Sequence, residues 1–235
     1  KDEKEEIRAL DKLINYHKVR LILLNNTKKI DKRINYLDDN NINYITWGRC
    51  GKEAKEYSWI DEDIEYSNQL AIDHILKKGH KNIGYIDSDL KLNYSLLRKK
   101  CFIDSLKKNK IKINKKFFVN GYRDSRKKTV QNVKELLVNN TDISVLLVSS
   151  HLFAMYVIEA CNQLNKKIGR DISLLSFDSN ILSTMAPNIT VVSQPVKKTN
   201  EYFIKIINSK INNLSKNYNY LYKTKLVDNN SVISI

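Results

Sequence analysis

The sequence predicts an α/β fold in which parallel sheets carry helices on both faces. Two observations carry that expectation. Several short runs, among them Val19–Leu24, Ile83–Asp87 and Ile143–Val148, are almost continuously apolar, as strands buried on both faces read. Between such runs lie amphipathic stretches of ten or more residues, and strands alternating with helices of that length build parallel sheets.

Taken in order, residues 2–16 repeat Ile7, Leu10, Leu13 and Ile14 at helical spacing behind an acidic first turn, which suits the positive end of a helix. The strand Val19–Leu24 follows, then a helix over Lys29–Asp39 on Ile30, Ile34 and Leu37. Ile42–Trp47 and Tyr57–Asp61 read as strands joined by a polar loop. Ile64–Lys78 is a helix that stops at Gly79, the residue a left-handed cap favours. His80-Lys81-Asn82 leads into the strand Ile83–Asp87. Helices are expected over Ser95–Lys108, Thr129–Val138, Leu152–Leu164 and Val196–Leu214, with strands at Phe117–Val119 and Ile143–Val148. The tail holds two strand-like pieces, Tyr220–Val227 and Val232–Ile235.

Composition narrows the possible functions. The 235 residues can build one large domain or two intimate ones. The formal charge of +15 raises the possibility of nucleic-acid binding, yet the lysines are spread over the whole length among Asn and Ile, so the charge reads as a solvated face. Three cysteines, Cys50, Cys101 and Cys161, stand far apart with no C-x-x-C, which encodes neither a disulfide framework nor a zinc site. His74 and His80 fit no ligand pair on one helix, so packing and capping are their expected roles. No cofactor is expected. No apolar stretch approaches the roughly 18 residues of a membrane span, and a cytoplasmic location with no membrane partner is expected. No G-x-S-x-G, P-loop, Gly-rich dinucleotide turn or Cys-His pairing is present, which leaves an enzyme without support.

The stretch Asp171–Pro195 is the most specific in the chain. Its first strand delivers Asp178 at the carboxyl end, where open α/β sheets place ligand-binding groups. After a loop with Pro187, the β-branched run from Thr190 leads to Gln194-Pro195. This ordered set resembles the C-terminal signature of the LacI/GalR family of bacterial transcription regulators. The unit D-H-I-L-K-K-G-H-K-N-I-G-Y-I over 73–86 is similar to that family's helix, Gly-His turn and strand, and the resemblance covers essentially the whole chain.

The resemblance implies a two-lobed periplasmic-binding-protein-like (type I) fold, with a small polar, sugar-like effector in the cleft between lobes. One lobe is expected to comprise residues 1–88 with 196–213, and the other 89–195 with 214–235. The first lobe is expected to lack its opening strands and to present an unpaired strand, and the helix-turn-helix headpiece of the family has no counterpart in these residues. Arg98, in Y-S-L-L-R-K-K-C-F, falls on the Arg of the family's R-x-x-G-F, with Phe102 on the Phe and Cys101 in place of Gly. Its guanidinium offers fixed donors, and Asp178 offers the opposing acceptor; the two either grip a ligand or pair with each other. Trp47 either stacks on a ligand at the cleft mouth or packs in the core. Asp63 either caps the helix that follows it or faces the cleft. Ser150-His151 stands where the family carries Asn-Asp, which points to altered effector chemistry. The expected function is the effector-sensing and dimerisation core of a transcription regulator, which reaches operator DNA through a headpiece outside this chain and works as a homodimer. The alternative is an exported sugar-binding protein of a transport system.

Overall fold

The computed structural model describes residues 3–51, 56–87, 91–178, 180–212 and 216–235, the side chain of Asp178 excepted. Along the chain run α1 (Glu3–Asp11), a π-helical turn (Lys12–Tyr16), β1 (Leu21–Leu24), α2 (Lys32–Asp39), β2 (Asn43–Trp47), β3 (Ser58–Glu62), α3 (Ile64–Lys77) and β4 (Ile83–Asp87). Then come α4 (Asn93–Lys108), β5 (Phe118–Asn120), α5 (Arg126–Asn139), β6 (Val145–Val148), α6 (His151–Gln163), β7 (Ser173–Asp178) and α7 (Ile181–Met185). The last elements are β8 (Thr190–Ser193), α8 (Val196–Ile211), β9 (Asn219–Tyr222) and β10 (Lys225–Val227).

The chain divides into two compact units, the first Lys1–Glu62, Lys91–Tyr94 and Lys197–Tyr222, the second Asp63–Leu90, Ser95–Val196 and Lys223–Ile235. This differs from the expected lobes over 63–88, 91–94, 196 and 214–222, and for the two long stretches strand pairing is the reason. β4 lies between β5 and β6 in the second unit's sheet, whereas β9 runs parallel to β3 in the first. The run Tyr220–Val227, which reads as one strand, therefore splits: β9 belongs to one unit and β10 pairs antiparallel with β8 in the other.

The first unit holds the parallel sheet β1-β2-β3-β9. One face packs Ile22, Tyr44 and Trp59 against Leu10, Ile14, Ile34 and Leu37 from the N-terminal helices. The other packs Ile45 and Ile60 against Phe203 and Ile206 of α8. Helix α2 begins one turn later than its apolar periodicity implies, because Asp31 caps it and accepts from Arg33 N at 3.1 Å. Strand β1 forms the sheet's edge, and Leu23 on it is 54% exposed.

The second unit holds the six-stranded sheet β10-β8-β7-β6-β4-β5, parallel except for β10. Residues of β6 alternate between its two cores. Leu146 and Val148 join Val133, Phe153 and Val157 of α5 and α6, while Val145 and Leu147 join Ile72, Ile75, Phe102 and Leu106 of α3 and α4. Each such side chain contributes roughly 1.5–3 kcal/mol through burial. Phe102 stacks on Tyr85 with ring centroids 4.5 Å apart.

The C-terminal tail is not the strand its residues suggest, since its hydrogen bonds go largely to side chains. Ile233 N donates to Ser173 Oγ at 3.0 Å, and Ile233 O faces His80 Nε2 at 2.9 Å. Ser231 Oγ takes Thr190 N at 2.7 Å. Gly79, at φ +93°, meets this tail so closely that a Cβ there would lie 2.5 Å from Ile235 O. Among the described residues no helix is long and apolar enough to cross a membrane.

Candidate functional site

In the second unit the chain leaves β4 toward β5 on one side, while β6, β7 and β8 succeed one another on the other side. The carboxyl ends of β4 and β6 therefore flank a topological switch point, the place where open α/β sheets hold ligands. Asp87 closes β4, Ser149-Ser150-His151 follows β6, and Asp178 closes β7 with its backbone in register with Ser193 of β8. The side chain of Asp178 lies outside the described residues.

Arg98, four per cent exposed, is held over this end of the sheet from the second turn of α4. Its Nη1 donates to Ser149 O at 2.6 Å, and its guanidinium carbon sits 4.2 Å from the centroid of the Phe177 ring. A desolvated cation stacked in this way gains about 2 kcal/mol. Beside it, Lys99 Nζ lies 2.9 Å from Asp87 Oδ2, and Ser95 Oγ donates to Asp87 Oδ1 at 3.3 Å. The carboxylate of Asp87 is thus compensated within its own unit.

Ser149 extends β6 by one residue, its N–H donating to Ile86 O at 3.0 Å. The strand's alternation carries its side chain to the face of Leu147 and Phe177, beneath Arg98. Ser150 occupies the N-cap position of α6 in extended conformation, but its hydroxyl makes no capping bond. Ala154 N donates to Ser150 O at 3.1 Å, which starts the helix. His151 is the first helical residue. The amides of that first turn have no intrahelical acceptor and lie at the positive end of the helix. Arg98, Ser149, Ser150 and the start of α6 therefore all lie at one strand end, with Ser149 on the face of Arg98 and Ser150, extended, directed to the opposite face.

Trp47 and Asp63 belong elsewhere. Trp47 is half-buried against Phe203, ring centroids 4.9 Å apart, in the core of the first unit. Asp63 caps α3, accepting from Tyr66 N at 3.1 Å. The first unit has its own polar cluster at the strand ends: Arg49 Nε lies 2.7 Å from Asp61 Oδ2 and stacks over Trp59. Burial pushes the Asp61 carboxyl up and the Arg49 partner only partly offsets it. Sequence reading missed Arg49, Asp61 and Ser149; the position of each just before or after a strand's carboxyl end was the available signal. Burial raises the Cys101 thiol and pushes Cys161 up to about 12, which disfavours the thiolate at both. Among the described residues no group of His, Cys, Asp and Glu can hold a metal.

The family model of the periplasmic binding protein-like domain matches residues 72–232. The chain belongs to that family. This periplasmic-binding-protein-like chain is 28% identical over 185 residues to the HTH-type transcriptional regulator MalR of Clostridium butyricum, an alignment covering 78% of this chain and 55% of that protein. It thus spans about half the length of the curated relatives it matches. A candidate LacI transcriptional regulator from Bacillus cereus subsp. cytotoxis NVH 391-98 superposes with a TM-score of 0.88 at 22% identity, over 97% of this chain and 81% of that one. The transcriptional regulator CelR in complex with cellobiose superposes at 0.84 with 18% identity, over 95% and 69%. These likenesses establish the fold of the periplasmic-binding-protein-like family; its switch-point residues in this chain are Arg98, Ser149, Ser150 and His151.

Proposed function

We propose that the chain is the ligand-sensing core of a LacI-type transcription regulator and that its second unit binds a small polar metabolite at the carboxyl ends of β4, β6 and β7. The observation that carries this reading is Arg98. A guanidinium is buried at the switch point and fixed by Ser149 O and the Phe177 ring, where a pre-oriented fork of donors meets ligand oxygens without reorganisation. Asp178, at the end of the neighbouring strand, is the acceptor for ligand hydroxyls. Relatives named as HTH-type regulators support the regulatory setting. In it, ligand binding shifts the population of core conformations and so the geometry of two DNA-binding headpieces in a homodimer.

The test is a thermal-shift panel on this chain with neutral mono- and disaccharides, sugar phosphates, uronates and nucleobases. Binding at 100 times Kd stabilises by about 2.7 kcal/mol, so at least one class raises the melting temperature by several degrees. A panel in which no compound shifts it contradicts the sensor reading.

A further inference from the structure

We propose that the open edge of β5 is a docking surface for a partner protein, and that its occupant is an extended, acidic peptide segment that adds a strand to the second unit's sheet.

The surface combines an unpaired strand edge with a groove. β5 pairs with β4 alone and ends the strand order of its sheet. The main-chain groups of successive strand residues point to alternate sides. Gly121 N donates to Asp87 O at 2.9 Å, so Val119 also faces β4, whereas Phe118 and Asn120 face outward. The Phe118 N–H is used locally, donating to Lys115 O. Among the described residues, Phe118 O and both main-chain groups of Asn120 are left open on the outer side. Beside them, between β5 and α5, runs a groove of about 550 Å³. Val119, Tyr122 and Leu136 give it apolar surface, and Asn132 and Asn139 line it with amides. Open main-chain groups, amide side chains and apolar surface suit a peptide in extended conformation, whose backbone makes the pairing and whose alternate side chains meet the groove.

Charge selects the kind of peptide. Basic residues occur along the whole chain, but here acids do not accompany them: residues 107–128 hold ten lysines and arginines and one acid, Asp124, so this stretch carries +9 of the chain's +15. All ten cations are exposed. Six lysines from Lys107 to Lys116 precede β5, and Arg123, Arg126, Lys127 and Lys128 follow it, so cations stand at both ends of the edge. Among the described residues two of the ten have an acidic partner, Lys107 with Asp104 at 3.8 Å and Arg126 with Glu159 at 2.6 Å. The groove's own acid, Glu135, accepts from Gln131 Nε2 at 2.8 Å. Lysines around a strand edge deter pairing with a second copy of the same basic edge. They favour an acidic strand, which the surplus charge also steers to the site. A nucleic-acid backbone uses the cations but neither the open main-chain groups nor the apolar groove.

The experiment is fluorescence anisotropy with the whole chain at low salt. The labelled probes are peptides of about ten residues in which valine alternates with glutamate, glutamine or lysine, and a DNA duplex of about 20 base pairs. The glutamate peptide is expected to bind with a Kd on the order of 10–100 µM, about 10-fold or more tightly than the glutamine and lysine peptides. The exposed pair Lys115→Glu, Lys116→Glu weakens it by about 10-fold or more. Asn120→Pro removes the outward N–H, keeps the Gly121 bond to β4, and lowers affinity about 5-fold or more. A fully N-methylated glutamate peptide, which cannot pair as a strand, binds the parent chain about 10-fold or more weakly, a check that needs no change in the protein. Equal affinity for the glutamate and glutamine peptides, or no binding of the glutamate peptide at about 1 mM, would overturn the proposal. Undiminished binding of the N-methylated peptide, or parental affinity in a folded Asn120→Pro chain, would overturn the strand pairing. A duplex that binds more tightly than the glutamate peptide and weakens with it in the lysine variant would make the patch a nucleic-acid surface instead.

Discussion

Replacing Arg98 by alanine abolishes ligand binding and also weakens the second unit. Each hydrogen bond from a charged donor contributes about 1.5–3 kcal/mol, so losing the fork lowers affinity by about 100-fold or more. The structure also gives Arg98 a second role. Its bond to Ser149 O and its stack over Phe177 are both buried, and their loss costs about 2–4 kcal/mol of stability. Arg98→Lys separates the two roles: it keeps the charge and gives up the planar stack. Calorimetry with any compound that binds the parent chain, paired with urea melts, measures both effects; parental affinity in Arg98→Ala would show that the site is misplaced.

The second large effect is expected at His80. Its ring is fully buried between Ser144 Oγ at 2.8 Å from Nδ1 and Ile233 O at 2.9 Å from Nε2. A carbonyl only accepts, so the network assigns the proton to Nε2, and Nδ1 accepts from the Ser144 hydroxyl. Ser173 Oγ, 3.0 Å from Nε2, takes Ile233 N at the same time. One imidazole thus ties the start of β6, the start of β7 and the C-terminal tail together. His80→Ala leaves these groups unsatisfied at a cost of about 3 kcal/mol, which lowers the melting temperature by about 6–12 °C in a chain of this size.

A pH dependence accompanies it. Burial holds the imidazole below its ordinary value of 6.5, so between the folded and unfolded values the unfolded chain binds the extra proton. Stability is therefore complete above pH 6.5 and declines as the pH falls below it. His74, also lowered by burial despite Asp228 at 3.7 Å, contributes with the same sign. Urea melts from pH 7.5 to 5 show this slope in the parent chain and a shallower one in His80→Ala; equal slopes would contradict the assignment.

Local sequence signals served well where burial and period agreed. The continuous runs of β4, β6 and β7 and the Gly79 stop of α3 are read directly, because strands buried on both faces and a left-handed cap each demand particular residue types. The tail was not legible. Tyr220–Val227 has one β-like composition, but which sheet each half joins depends on partners about 160 and 30 residues away, Trp59 for Asn219 and Ser193 for Lys225. Val232–Ile235 is apolar enough for a strand, yet it bonds to Ser173 and His80, which composition does not encode. The helix α7, five residues long and ending just before Pro187, is below the length at which periodicity is informative. At the site, Arg98 stood out through its resemblance to a family motif, whereas Ser149 is a single serine after an apolar run and carries no pattern of its own. For Trp47 the sequence leaves stacking on a ligand and core packing both open, because the contact that decides it, Phe203, comes from α8 more than 150 residues later.

The central claim is that the switch point of the second unit receives the ligand. An alternative location exists in the same unit: a groove of about 550 Å³ beside the edge strand β5, lined among others by Lys116, Asn132, Glu135 and Asn139. Amide hydrogen exchange with and without a saturating compound from the thermal-shift panel distinguishes them. The account predicts slowed exchange concentrated at residues 149–153 and in the first turns of α4; protection confined to residues 116–140, with none at 149–153, would contradict it.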